Sequence, residues 1–205
     1  MANFEVEIRG LITKEKYIEL ETLFAREGKF KYAKNRILLC YPDPNTGSLV
    51  EECKIDIRIR TTNGIPEIII KEGEWGGENE SRKELFLRGK KGEFDKMVMM
   101  LAALGHKKGI FAERRGAVYM YKGIEFSLVE VPDHSFYFEA EVMVKSKDRQ
   151  KLATEKILKI CAELGLKPLS QQEFYDYINR LNAESNEPFD FANYQEGYFN
   201  RRYGI

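Results

Sequence analysis

Phe4-Glu5-Val6-Glu7-Ile8-Arg9 opens the chain with strict alternation, apolar residues at even positions and charged residues at odd ones. Successive side chains of a strand point to opposite faces, so this segment predicts a strand with one apolar face and one wholly charged face. The pattern returns downstream. Ile55-Asp56-Ile57-Arg58-Ile59-Arg60 alternates in the same way, Glu67 and Lys71 share a face, as do Arg82 and Glu84, and Glu139 and Glu141 alternate with Phe138, Ala140 and Val142. Eight segments read as strands, at 3–10, 36–41, 53–61, 65–71, 82–89, 110–121, 123–131 and 136–144. Asn63-Gly64, Lys122-Gly123 and Pro132-Asp-His-Ser135 supply tight turns, which makes successive strands antiparallel.

Between and after these strands lie four amphipathic helical stripes. Tyr17, Ile18, Leu20, Leu23 and Phe24 define the first, which Gly28 stops, and Phe94, Met97, Val98, Leu101 and Leu104 define the second, which Gly105 stops. Leu152, Ile157, Ile160, Cys161 and Leu164 mark a third ending at Gly165, and a capping box, Ser170-Gln-Gln-Glu173, starts the fourth. Phe189, Phe191, Tyr194, Tyr198, Phe199 and Tyr203 then make the last 23 residues too apolar for a free end. The expected organisation is a body over 1–182 and an aromatic tail over 183–205, packed on the body or on a partner such as a second copy in a homodimer.

Taken singly, a charged strand face is the solvated side of an antiparallel sheet. Taken together, eight such strands leave long edges exposed unless the sheet closes on itself. The predicted fold is therefore α+β, an eight-stranded antiparallel closed β-barrel with amphipathic helices packed outside and the charged faces lining a tunnel. Lys+Arg and Asp+Glu both number 33, which disfavours a basic binder of duplex nucleic acid and places the action of charge locally. The longest apolar run, Met97–Leu104, is far shorter than the ~20 residues a membrane span needs, so a soluble, cytoplasmic protein is expected. Cys40, Cys53 and Cys161 have no ligand spacing and read as packing residues.

A wall carrying Arg58, Arg60, Lys71 and Arg82 calls for a multiply charged anion, and guanidinium forks suit phosphate oxygens, so a polyphosphate chain is the expected ligand. Glu5, Glu7, Glu139 and Glu141 repel one another unless protons or hard cations intervene; Mg²⁺ and Mn²⁺ are the ions that bridge carboxylates to phosphates. His106 and His134 fall at turns or helix ends and read as surface residues, while Trp75 in the Gly73–Gly77 loop covers a tunnel mouth or simply packs.

These residues, in this order, resemble the CYTH superfamily of triphosphate tunnel metalloenzymes from about residue 3 to 182. Glu5-Val-Glu7-Ile-Arg9 looks like the family's ExExK strand, and Arg58-Ile-Arg60, Lys71, Arg82-Lys-Glu84, the Leu104-Gly105 helix end, Arg114-Arg115 and Phe138-Glu139-Ala-Glu141 continue the match. The family fold is an eight-stranded antiparallel tunnel, and its members include class IV adenylyl cyclases, thiamine triphosphatases, inorganic triphosphatases and fungal-type RNA triphosphatases. The resemblance implies that Glu5, Glu7, Glu139 and Glu141 ligate Mg²⁺ or Mn²⁺, and that Arg9, Arg58, Arg60, Lys71, Arg82 and one of Arg114 or Arg115 hold phosphates. Glu84 orients those cations or joins the metal shell, and Glu5, Glu7, Arg9 and Glu84 form the implied catalytic set. Two positions depart from the family: its first-strand Lys is Arg9 here, and Val129 stands where an Asp is usual, with Glu130 of opposite parity. The expected function is a metal-dependent phosphohydrolase of triphosphate substrates; an adenylyl cyclase and a non-catalytic binder of polyphosphate or nucleotides are the alternatives.

Overall fold

The computed structural model describes residues 4–73 and 83–205 and has an α+β fold built on antiparallel strands. In chain order the elements are β1 (Phe4–Ile12), α1 (Lys14–Glu27), β2 (Lys29–Ala33), β3 (Arg36–Tyr41), β4 (Ile55–Thr62), β5 (Ile65–Glu72), β6 (Lys83–Arg88), α2 (Phe94–Ala103), β7 (Lys108–Tyr121), β8 (Ile124–Val131), β9 (Ser135–Val144), α3 (Gln150–Glu163), α4 (Gln171–Glu184), β10 (Glu187–Asp190) and α5 (Tyr198–Tyr203). Ten strands among the described residues replace the eight expected. The two extra ones escape period-2 reading for physical reasons: all five residues of β2 are exposed, and β10 is four residues long and contains Pro188, which suits an edge.

The described residues divide into two compact units. The first comprises 4–34 and 114–177, and the second 35–73, 83–113 and 178–205. Strand β7 gives its first six residues to the second unit and the rest to the first.

In the first unit the antiparallel order is β1–β9–β8–β7, with β2 on the far side of β7. The even residues of β1 and their cross-strand partners form an apolar layer on which α1 and α3 lie. Leu20 and Phe24 of α1 and Ile157, Ile160 and Cys161 of α3 meet Val6, Ile8, Phe126, Leu128, Phe138 and Ala140. Phe24, fully buried, has its ring 5.0 Å from both Tyr121 and Phe126. Helix α1 starts where Thr13 accepts from the Lys16 amide, and the capping box is formed by reciprocal bonds between Ser170 and Glu173. At the β7–β8 turn Lys122 and Gly123 have φ of 49° and 73°, the left-handed pair of a type I′ hairpin.

In the second unit the order is β10–β7–β3–β4–β5–β6, again antiparallel along the paired ladders. Asn63 and Gly64 make the predicted β4–β5 turn with φ of 52° and 82°. Ile37, Leu39, Ile57 and Ile59 pack on Phe94, Val98 and Leu101 of α2, and the aromatic tail closes the same layer through Phe199 and Ile205. The Phe199 ring lies 4.9 Å from Phe94 and 5.4 Å from Phe111. Tyr41 is buried here, and its hydroxyl has no hydrogen-bond partner among the described residues. An orphaned buried hydroxyl costs about 1–3 kcal/mol, so Tyr41→Phe is expected to leave stability unchanged or raise it. Urea unfolding checks this; a loss above ~1 kcal/mol would mean the hydroxyl is satisfied.

Candidate functional site

Each unit presents a charged sheet face opposite its helix-packed face. In the first unit the pairing places Glu7, Glu141 and Glu125 in one row across β1, β9 and β8, and Arg9, Glu139 and Ser127 in the next. Glu5 precedes them, opposite Met143. The expected carboxylates Glu5, Glu7, Glu139 and Glu141 thus share one face, and Glu125, which the sequence reading did not single out, joins them.

The cations on this face are specific in their contacts. Arg9 donates to Glu7 through Nε at 2.9 Å and Nη2 at 2.6 Å, and its Nε lies 3.6 Å from Glu139. Only a guanidinium makes that two-pronged contact, so an arginine at position 9 has a structural consequence that a lysine would not. Its flat group also sits 5.1 Å from the Phe174 ring centroid. Lys34 donates to Glu139 at 2.7 Å and to Ser127 at 2.8 Å, and Lys31 donates to Glu125 at 2.5 Å. With Arg9 and Lys34 on these carboxylates, no group of three or more His, Cys, Asp or Glu side chains is arranged to hold a metal ion among the described residues.

Glu141 has no hydrogen-bonded cation among the described residues, and its environment is adverse. Burial, then the charges of Glu5, Glu7 and Glu125, push its carboxyl from an ordinary 4.5 up to about 8. The folded state therefore keeps a proton that the unfolded chain releases. The resulting stability is present below about pH 4.5 and is lost as pH rises through about 8. The metal-free chain is expected to melt at progressively lower temperature across that window, and Glu141→Gln to flatten the decline. Melting curves at several pH values check this; identical slopes for parent and variant would contradict it.

The register also separates Arg114 from Arg115. Arg115 pairs with Glu130 and Gly116 with Val129, so Arg114 falls on the face of Val129 and Tyr137, while Arg115 and Glu130 take the other. Val129, 3% exposed, belongs to the carboxylate face, with the parity of Glu125 and Ser127.

In the second unit, β3 to β6 gather Arg36, Arg58, Arg60, Lys71 and Arg88 on one face, where Asp56, Glu67 and Glu84 are the carboxylates. Five cations thus stand against three anions among the described residues. Arg58 forks onto Asp56, Arg60 donates to Glu67 at 2.7 and 3.0 Å, and Lys71 meets Glu84 at 2.8 Å. Burial, then the neighbouring Arg36, lowers the proton affinity of Arg60 despite Glu67. Burial opposes the Glu84 charge, but Lys71 outweighs it and holds that carboxyl below its ordinary range. Arg82 and Trp75 lie outside the described residues. The missed residues Arg36 and Lys34 flank the start of β3, where Lys34-Asn35-Arg36 reads in sequence only as a polar turn.

No protein-family profile matches the sequence, and no curated protein is similar enough to count as a relative. Solved structures do share the fold. A Pyrococcus horikoshii protein aligns with a TM-score of 0.65 at 24% identity over 86% of this chain and 99% of its own. A candidate adenylate cyclase from Vibrio parahaemolyticus aligns at 0.61, with 14% identity over 82% and 91%. A candidate adenylyl cyclase from Hippeastrum with a dominant triphosphatase activity aligns at 0.54, with 15% identity over 86% and 96%. At these identities the likeness is one of fold. Among the described residues no helix is long and apolar enough to cross a membrane.

Proposed function

We propose that the chain is a metal-dependent phosphohydrolase acting on a triphosphate, inorganic or carried by thiamine or a nucleoside. The observation that carries this reading is the cation excess on the β3–β6 face, where Arg60 is crowded by Arg36 and Arg58. Such a face is completed by a multiply charged anion. The fold shared with adenylate cyclase candidates, one of them chiefly a triphosphatase, supports the same substrate class.

The acidic face matches a hard dication in donor chemistry: all its carboxylates offer oxygen, and burial together with Glu5, Glu7 and Glu125 raises Glu141 to about 8. Glu5, Glu7, Glu139 and Glu141 would hold Mg²⁺ or Mn²⁺, which when bound supplies charge neutralisation at phosphate oxygens. The chain's own groups do the rest. Arg58 and Arg60 bind the phosphate chain through fixed forks, and Lys71, steered by Glu84, places a point charge on it. Arg9 and Arg114, on the acidic face, meet the phosphoryl end and stabilise charge that develops as the bond to the leaving oxygen breaks. A water held among the face's acceptors is the attacking group.

Adenylyl cyclase chemistry is the second reading, favoured by the same neighbours; there the ribose 3′-oxygen attacks the α-phosphate. Product analysis with ATP, thiamine triphosphate and tripolyphosphate under Mg²⁺ and Mn²⁺ decides. Orthophosphate is the expected product. Cyclic nucleotide with pyrophosphate would select the cyclase, and binding without turnover would sink both catalytic readings.

A further inference from the structure

Strand β2 carries a one-residue slip that changes which face its C-terminal end addresses. It pairs with β7 through Lys29–Met120 and Phe30–Tyr119, and then resumes at Tyr32–Val118 and Ala33–Ala117, leaving Lys31 as the extra residue. In unbroken register Lys34 would fall opposite Arg115, on the helix-packed side. With the bulge it meets Gly116, whose carbonyl accepts from the Lys34 amide at 2.7 Å, and its side chain joins the carboxylate face. There Lys34 is 8% exposed, with its ammonium on Glu139 at 2.7 Å and on Ser127 at 2.8 Å. A lysine is rarely buried this deeply without a partner, and this one is aimed at an expected metal ligand.

We propose that Lys34 is a tethered counter-cation that occupies Glu139 in the metal-free chain and moves to a substrate phosphate when a divalent cation takes Glu139, coupling metal binding to polyphosphate binding. The inference rests on the proposed function and names a residue and a linkage that the function alone does not require. An ammonium and a dication on the same carboxylate oxygens repel each other, so metal arriving alone must displace Lys34. A displaced ammonium left buried without an anion is costly, and a phosphate oxygen supplies the missing acceptor. Metal alone therefore binds against opposition, and metal with polyphosphate does not; by linkage each ligand tightens the other.

Calorimetric titration of the full chain with Mn²⁺ alone, and separately with preformed Mn²⁺–tripolyphosphate, tests this. Lys34→Met is expected to bind Mn²⁺ alone about tenfold or more tightly than the parent. The same variant should bind the preformed complex no more tightly than the parent does, and Lys34→Arg should follow the parent in both titrations. Lys34→Gln, which keeps donors without the charge, serves if Lys34→Met fails to fold. Equal affinity for Mn²⁺ alone in parent and uncharged variants overturns the role of Lys34 and leaves the proposed function standing. Absence of Mn²⁺ binding in every protein, with or without tripolyphosphate, overturns both.

Discussion

Replacing Glu139 and Glu141 together by Gln is expected to weaken Mn²⁺ binding by on the order of 100-fold or more and to lower triphosphate turnover by about 10²–10³-fold, with the fold retained. The substitutions remove two ligand charges and almost no volume. Their effects on stability oppose each other. Removing the Glu141 carboxyl relieves the repulsion from Glu5, Glu7 and Glu125, whereas removing that of Glu139 takes an acceptor from Lys34 and Arg9. The variant should therefore melt as cooperatively as the parent. Calorimetry with Mn²⁺, read beside a thermal midpoint, separates lost ligation from lost structure; unchanged metal affinity would remove these carboxylates from the site.

The largest expected effect on stability lies elsewhere, at Asp95 in the first turn of α2. This buried carboxylate accepts from the Tyr194 hydroxyl at 2.5 Å, the Phe199 amide at 3.1 Å and the Asn200 amide at 2.8 Å. It thereby caps the N-terminal turn of α5 and fixes the aromatic tail on the α2 layer. Hydrogen bonds to a charged group contribute about 1.5–3 kcal/mol each, and their loss would leave three donors unsatisfied. Asp95→Ala is accordingly expected to cost about 3–5 kcal/mol, the combined loss of three such bonds less what the freed donors regain from water. Asp95→Asn, which keeps an acceptor, should cost less. Urea unfolding of both variants checks the order; an Ala variant within ~1 kcal/mol of the parent would show that the tail is held by its rings alone.

The period-2 strands were legible because a half-buried strand writes its two faces directly into alternate residues. Glu5-Val-Glu7-Ile-Arg9 and Asp56-Ile-Arg58-Ile-Arg60 needed no partner to be read, and their charged residues do fall on common faces. Glu125 shares the parity of Val129, but a lone acid beside Phe126 carries little signal in sequence. Register is another matter. The choice between Arg114 and Arg115 depends on Arg115 facing Glu130, which is a pairing and not a local pattern. Lys34 was invisible for a stronger reason: its place depends on a bulge at Lys31 that reverses the parity of a short, fully exposed strand. Asp95 likewise sits on a legible helix, but its partners lie about a hundred positions away in the tail. The strand count fell short by two where exposure and Pro188 erased the alternation.

The proposed function requires metal–triphosphate binding that depends on Glu139 and Glu141 and on Arg58 and Arg60. Calorimetric titration of preformed Mn²⁺–tripolyphosphate into the parent, the Glu139→Gln/Glu141→Gln variant and an Arg58→Ala/Arg60→Ala variant tests it most directly. Saturable binding is expected in the parent, with a loss of affinity of about tenfold or more, ~1.4 kcal/mol, in each variant. Undiminished binding in either folded variant would contradict it.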